Sequence, residues 1–150
     1  MSERFQVPKK KVNVTIAFDL KGNIVLEPYS IFLSEYSSKH RGEESLIEFL
    51  NEKSLFFPGV NRETNEFFLI NSATVLFVLE ETKIEEPVID NITITFLNGE
   101  NLMAGLDEIL PTYRSRPLDY LNQEDVFISF IHQQSQIFIN KHKIAKVSGL

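Results

Sequence analysis

Few residues in this 150-residue chain could do chemistry. It contains no cysteine, which excludes thiolate nucleophiles, disulfides and cysteine-based zinc sites. Its three histidines, His40, His132 and His142, show none of the spacings that place two metal ligands on one helix. We therefore assign each histidine a surface or capping role, not metal ligation or base catalysis.

The carboxylates are numerous but are not arranged as a catalytic pair. Glu43 and Glu44 open a predicted helix, where acidic side chains interact favourably with the helix dipole. Asp107-Glu108 and Glu124-Asp125 lie beside the ends of predicted elements, as solvated surface residues do. No nucleophile-elbow, phosphate-loop or dinucleotide-binding motif occurs, and the chain has only six glycines. The sequence thus predicts a protein that is not an enzyme and uses no cofactor or metal.

The charge and hydropathy of the chain limit the partners and the location that we expect for the protein. Fifteen Lys and Arg stand against 21 Asp and Glu, for a net charge of -6. An acidic surface repels phosphate backbones, which disfavours nucleic acid as a partner. The longest apolar runs, at 67–70 and 75–79, are far too short to span a membrane, and residues 1–11 lack the apolar core of a signal peptide. We expect a cytoplasmic protein.

An internal repeat organises the chain. Three blocks recur in the same order: Asn13–Phe18 with Asn91–Phe96, Ile47–Asn51 with Leu118–Asn122, and Leu69–Asn71 with Phe138–Asn140. Such self-similarity indicates two copies of one structural unit. We divide the chain into residues 1–83 and 84–150, with the Glu- and Pro-containing segment Glu80–Pro87 as the linker.

Each unit is predicted to be β-β-α-β-β-β. Val12–Leu20 alternates between apolar and other residues, as in a half-buried strand, and Gly22-Asn23 predicts a tight hairpin. Glu43–Glu52 carries one apolar helical stripe. Before the last strand of each unit, Asn71 or Asn140 is expected to adopt the left-handed conformation of a tight turn. The predicted fold class is mostly β, with two small five-stranded barrels that each contain one inserted short helix.

The segment Ile139–Val147 resembles the second half of the Sm motif. In that family an apolar residue leads through a short turn into a strand that carries Ile and Val three residues apart, as Ile144 and Val147 do here. Lys141 replaces the usual glycine of that turn, and Ser72 replaces it in the first copy. The resemblance implies a five-stranded SH3-like barrel, and it would place the turn with His142 and Lys143 near RNA.

Two groups of residues are candidates for binding. The basic group is Lys141, His142, Lys143 and Lys146, and the aromatic group is Tyr29, Phe32, Tyr36, Phe56 and Phe57. Consecutive residues of a strand point to opposite faces, so Phe56 and Phe57 cannot both join one core, nor can Phe67 and Phe68. The outward ring must cover the other unit, another subunit or a partner.

These observations lead to three hypotheses. The first is a non-enzymatic cytoplasmic adaptor or assembly protein that binds a protein partner or itself through apolar faces. The alternative is an Sm-like RNA-binding module that uses the basic turn of the second unit. The third is a small-ligand sensor with a pocket between the units.

Overall fold

The computed structural model describes residues 9–37, 42–52, 54–85, 88–106 and 117–149. The elements in the described part are β1 (Lys9–Leu20), β2 (Asn23–Ser34), α1 (Leu46–Leu50), β3 (Phe56–Asn61), β4 (Phe67–Asn71), β5 (Val75–Lys83), β6 (Ile92–Phe96), β7 (Asn101–Leu106), α2 (Pro117–Leu121), β8 (Phe127–His132), β9 (Ser135–Asn140) and β10 (Ile144–Ser148). The prediction of a mostly β protein with short helices is confirmed. Neither described helix has the length or apolar character to cross a membrane.

The ten strands of the described residues form one antiparallel sheet in the order β10-β6-β7-β8-β9-β5-β1-β2-β3-β4. The first half of the chain contributes β5-β1-β2-β3-β4, and the second half contributes β10-β6-β7-β8-β9. The two halves therefore have the same internal order and follow one another head to tail. In both halves the fifth strand pairs with the first in the same register, with one irregularity, which falls at Leu76 in β5 and at Ala145 in β10.

The described sheet is not closed into a barrel, which corrects the prediction of two separate five-stranded barrels. Closure of the first half would require β4 to pair with β5. The available edge of β5 is instead occupied by β9, the fourth strand of the second half. Closure of the second half would require β9 to pair with β10, so the pairing of β9 with β5 prevents closure of that half as well.

The first hairpin and first helix follow local sequence signals. Lys21 and Gly22 both have positive φ, 55° and 81°, as the tight turn between β1 and β2 requires. Ser45 caps α1 by accepting from the Glu48 N–H, and the Glu48 carboxylate accepts in turn from the Ser45 N–H. The predicted helix Glu43–Glu52 shortens to Leu46–Leu50 because this capping box sets its start.

Two further local predictions are corrected. Asn71 and Asn140 are extended, with φ near -76° and -70°, and each caps a one-turn 3-10 helix with its side chain. The asparagines act here as hydrogen-bond acceptors, so no left-handed backbone is needed. The predicted linker Glu80–Pro87 begins too early, since β5 continues to Lys83. Ser115, which the sequence favours as the N-cap of the second helix, lies outside the described residues.

Two apolar cores lie along the sheet, and each contains side chains from both halves. Phe127 and Phe138 of the second half belong to the core that β1, β2 and α1 build. Ala17, Leu76 and Phe77 of the first half belong to the core around β6 to β9. This exchange of side chains makes the β5–β9 contact part of the interior of the protein.

Candidate interaction surface

The contact between β5 and β9, called the joint below, is the feature that sets the geometry of the surface. Val78 lies opposite Phe138, with Phe77 opposite Ile139 and Leu79 opposite Ile137. A strand edge is a template for pairing with a further strand. At the joint, the edge of the first half is used to bind the second.

Aromatic side chains cross the joint in both directions. Phe127 and Phe138 are only 1% and 3% exposed within the core of the first half. In return, the Phe77 ring lies 6.2 Å from the Phe96 ring, between centroids, within the core of the second half. Burial of such large apolar side chains is the main source of stability in a contact of this kind.

Asn51, at the end of α1, fixes the start of β8 across the joint. Its Nδ2 donates to the Phe127 carbonyl oxygen at 3.0 Å, and its Oδ1 accepts from the Phe127 N–H at 2.8 Å. One side-chain amide thus satisfies both polar groups of one backbone unit, as a neighbouring strand would.

Asn140, at the end of β9, makes a second polar clamp. Its Nδ2 donates to the Val75 carbonyl at 3.0 Å and to the Ser72 carbonyl at 3.3 Å, while its Oδ1 accepts from the His142 N–H at 3.0 Å. The side chain is buried, so these bonds are shielded from water. Removing a partner from a buried group of this kind is costly.

At the two ends of the described sheet, β4 and β10 each have a neighbour on one side only. The β4 end is markedly apolar. Its exposed apolar side chains include Phe67 and Leu69 of β4 and Phe56 at the start of β3. Phe56 is 51% exposed and Leu69 is 64% exposed, and the two side chains lie on neighbouring strands at this end of the sheet. An apolar edge without a covering element marks an interaction site or an aggregation hazard.

The sequence-predicted aromatic residues separate into two groups. Tyr29 and Phe57 are buried in the core of the first half, and Tyr29 lies in β2, not in a loop. Burial and a hydrogen bond to Glu27 raise the pKa of Tyr29 to about 12. Phe32, Tyr36 and Phe56 are exposed. As expected, Phe56 and Phe57 point to different environments.

A groove of about 300 Å³ brings Phe32 and Phe56 together beside α1, with Phe49 and Pro58 also in its wall. Tyr36 is not part of this groove. Of the other consecutive pair, Phe67 and Phe68 are both exposed, although the Phe68 ring makes an edge contact with Tyr29 at 6.1 Å. The exposed aromatic surface of the first half therefore extends from this groove to the β4 edge.

The basic group lies at the opposite end of the sheet, around β10. Lys141 donates to the Gln123 carbonyl, and Lys143 Nζ lies 3.9 Å from Asp19 Oδ2. His142 and Lys146 are exposed. Two of the four predicted basic residues are thus engaged by the protein itself.

A cavity of about 430 Å³ lies at the joint, between α1, β1, β5 and β9. Its wall includes Lys10, Glu80 and Phe138. Burial raises the pKa of Glu80, and the positive charge of Lys10 opposes that shift.

The remaining histidines and acidic groups assemble no metal site in the part of the chain that the structure describes. His132 Nδ1 lies 2.6 Å from the Met103 carbonyl and 3.8 Å from Asp90 Oδ2. His40 and Asp107-Glu108 lie outside the described residues.

No family model matches this chain, and no curated protein or solved structure is significantly similar to it.

Sequence reasoning did not identify Asn51 and Asn140 as functional residues. The signal for them was present, because both end blocks that recur in the two halves, with Asn122 and Asn71 as counterparts. A polar residue that recurs at the end of an apolar block is a candidate for a shared structural task.

Proposed function

We propose that this protein is a non-enzymatic cytoplasmic assembly or adaptor protein, and that it binds another protein through the β4 edge of its first half. The observation that carries the proposal is the exposure of Phe56, Phe67 and Leu69 together at one sheet edge. We also propose that residues 1–83 and 84–150 are copies of one small SH3- or Sm-like unit that act as an open, joined pair.

The joint supports an edge-binding function. There, an edge that would otherwise be exposed is covered by a partner strand, apolar rings and asparagine clamps. The β4 edge has the same kinds of residue but no cover within the described part of the chain. Addition of a strand to such an edge is a general mode of protein recognition.

The alternative of RNA binding through the basic turn has less support. Lys141 and Lys143 are held by Gln123 and Asp19, which leaves less positive charge at the turn for phosphates. The net charge of -6 also opposes approach of a nucleic-acid backbone.

Affinity capture with matched variants tests the proposed function. Tagged wild-type protein, Leu69→Lys and Leu26→Lys are used as baits with native cell extract supplemented with a differently tagged copy of the chain. Leu26 is 60% exposed but lies on β2, inside the sheet, so it controls for loss of an exposed leucine. We expect proteins retained by the wild type and by Leu26→Lys to be lost with Leu69→Lys. Equal capture by all three baits would contradict the proposal.

A further inference from the structure

We propose, on the basis of the proposed function, that the partner of the β4 edge is a second copy of this chain, whose β10 edge pairs with it. The reason is the geometry of the joint. It places the fifth strand of one half against the fourth strand of the other. The strands that remain at the two ends of the sheet are the fourth strand of the first half and the fifth strand of the second. The ends of each chain therefore carry the two complementary sides of a joint that the chain already contains.

The pairing register between copies follows from the correspondence of the halves. Val147 pairs with Ile94 in the second half as Val78 pairs with Ile16 in the first, so Val147 is the counterpart of Val78. In the fourth strands, Ile70 pairs with Phe57 as Ile139 pairs with Ile128, so Leu69 is the counterpart of Phe138. Val78 and Phe138 are opposite one another at the joint. Their counterparts are Val147 and Leu69, so Val147 of one copy is expected to lie opposite Leu69 of the next.

The exposed apolar residues occupy the positions that the joint buries. Phe56 faces Asn71 in β4 as Phe127 faces Asn140 in β9, and Leu69 corresponds to Phe138. Phe127 and Phe138 enter the core of the first half. Phe56 and Leu69 would enter the core of the second half of another copy in the same way. Their exposure in the single chain is then explained by the absence of that neighbour.

The two asparagine clamps are also duplicated. Asn122 corresponds to Asn51, is exposed, and makes no side-chain hydrogen bond within the described residues. It would bond the backbone of Phe56 in the next copy, as Asn51 bonds that of Phe127.

Asn71 corresponds to Asn140. Its Oδ1 accepts from the Ala73 N–H at 2.9 Å, but its Nδ2 has no partner among the described residues. In the next copy, the carbonyls that correspond to those of Ser72 and Val75 belong to Lys141 and Ile144. The Asn71 Oδ1 therefore has its partner within the chain, whereas its Nδ2 would find its acceptors in a neighbouring copy.

The contact between copies is expected to be weaker than the joint. Ala145 and Lys146 of β10 replace Leu76 and Phe77 of β5, so less apolar area is available on that side. A head-to-tail contact continues from copy to copy and gives a ring if the rotation closes, or a filament if it does not. The protein is therefore expected to form concentration-dependent oligomers that dissociate on dilution.

Multi-angle light scattering of two edge-blocked variants of the full chain tests this inference. Leu69→Lys blocks the β4 edge, and Ala145→Lys blocks the β10 edge because it would bury a charge where β5 has Leu76. Both positions are exposed in the single chain, so the fold should tolerate the lysines. Leu26→Lys is again the control. Thermal unfolding at low concentration verifies that each variant is folded.

The mass of wild type and of Leu26→Lys should rise above the 17.3 kDa of one chain as the concentration increases. Each edge-blocked variant alone should remain at one chain. An equimolar mixture of the two should give a species of two chains and nothing larger, since only one intact pair of edges is present. Asn122→Ala should weaken association of the wild type roughly tenfold without affecting its unfolding.

Association of Ala145→Lys by itself would overturn the inference, because it would show a β4–β4 contact. A mixture that stays at one chain, or a wild type that stays at one chain at every concentration, would also overturn it. If the wild type is a monomer but cellular proteins are still lost from the Leu69→Lys bait, the proposed function stands and only the second copy as partner is wrong. If neither measurement responds to Leu69→Lys, both proposals fail.

Discussion

The strands β9 and β4 are counterparts that differ in what lies beside them. Ile137, Phe138 and Ile139 of β9 are fully or almost fully buried because β5 covers them. Of their counterparts in β4, Phe68 and Leu69 are exposed, and only Ile70 is buried. The first half alone is therefore enough to bury Ile70, whereas the positions of Phe68 and Leu69 are buried only in the half whose fourth strand has a second neighbour.

The asparagines lead to the same conclusion. Asn51 and Asn140 bond across the joint, whereas Asn122 and the Nδ2 of Asn71 make no corresponding bond in the described part of the chain. The apolar and polar elements of the joint therefore recur together. Asn71 also caps its own turn, so the fold of the first half accounts for part of this recurrence, and Asn122 has no such local bond among the described residues.

Replacing a matched pair of phenylalanines should give the largest contrast between the two regions. Phe127→Ala should lower the free energy of unfolding by about 3–5 kcal/mol, because it leaves a cavity in the core of the first half. Phe56→Ala should lower it by less than about 1 kcal/mol in the monomer, since half of that side chain is already exposed. Urea unfolding at low protein concentration measures both.

Equal losses for the two variants would show that Phe56 is as buried in solution as Phe127, and would refute the contrast between the regions. The Phe56→Ala measurement is repeated at high protein concentration. The loss of unfolding free energy should be larger there, because Phe56 becomes part of a contact between copies.

The asparagine clamps should give the next largest effect. Asn140→Ala should cost about 1–3 kcal/mol, because it leaves the buried carbonyl group of Val75 and the part-buried one of Ser72 without this donor. Asn71→Ala should cost about 1 kcal/mol, since only the cap of the following turn is lost. Thermal unfolding of both variants beside the wild type measures the difference, and a larger loss for Asn71→Ala would contradict the assignment of the clamp.

The free energy of unfolding should depend on pH through Glu80, which lies at the joint. Its folded pKa is raised by burial, so the folded state binds the proton more tightly than the unfolded state does. The resulting stability is fully present below the unfolded pKa of about 4.5 and is lost as the pH rises through the folded value. Glu80→Gln should therefore be more stable than the wild type at neutral pH, with a difference that disappears in acid. Unfolding of both proteins across that pH range measures it.

The control for this effect is built into the chain. The β10 position that corresponds to Glu80 is Gly149, so the free edge contributes no such titration. A pH-independent difference between the Gln variant and the wild type would remove burial of the charge as its cause.

The strands and their repetition could be predicted from the sequence because alternation and turn residues are local signals. The register of β1 with β2 follows from the turn at Gly22, and the end of α1 lies within a residue or two of its apolar stripe. The joint could not be predicted in this way. A continuous apolar run such as Val75–Leu79 indicates that a strand is buried on both faces, but it does not indicate which strand lies beside it.

The candidate surface was predicted only in part for the same reason. Phe56 was recognised from its neighbour Phe57, because consecutive rings in a strand must diverge. The sequence places Tyr29 with Phe32 and Tyr36 in a long loop of the first unit, yet β2 spans Asn23–Ser34 and contains Tyr29. Burial of Tyr29 depends on Phe18 and Phe68, which are distant in sequence.

Hydrogen exchange of the backbone amides over a series of protein concentrations tests the central claim, that the β4 edge is one side of an unfilled joint. The β9 amides that face β5 should be protected from exchange at every concentration. The β4 amides that face away from β3 should exchange quickly in dilute protein. They should become protected as the concentration rises, together with the β10 amides that face away from β6. Fast exchange in β4 at every concentration, or protection of β4 without β10, would contradict the account.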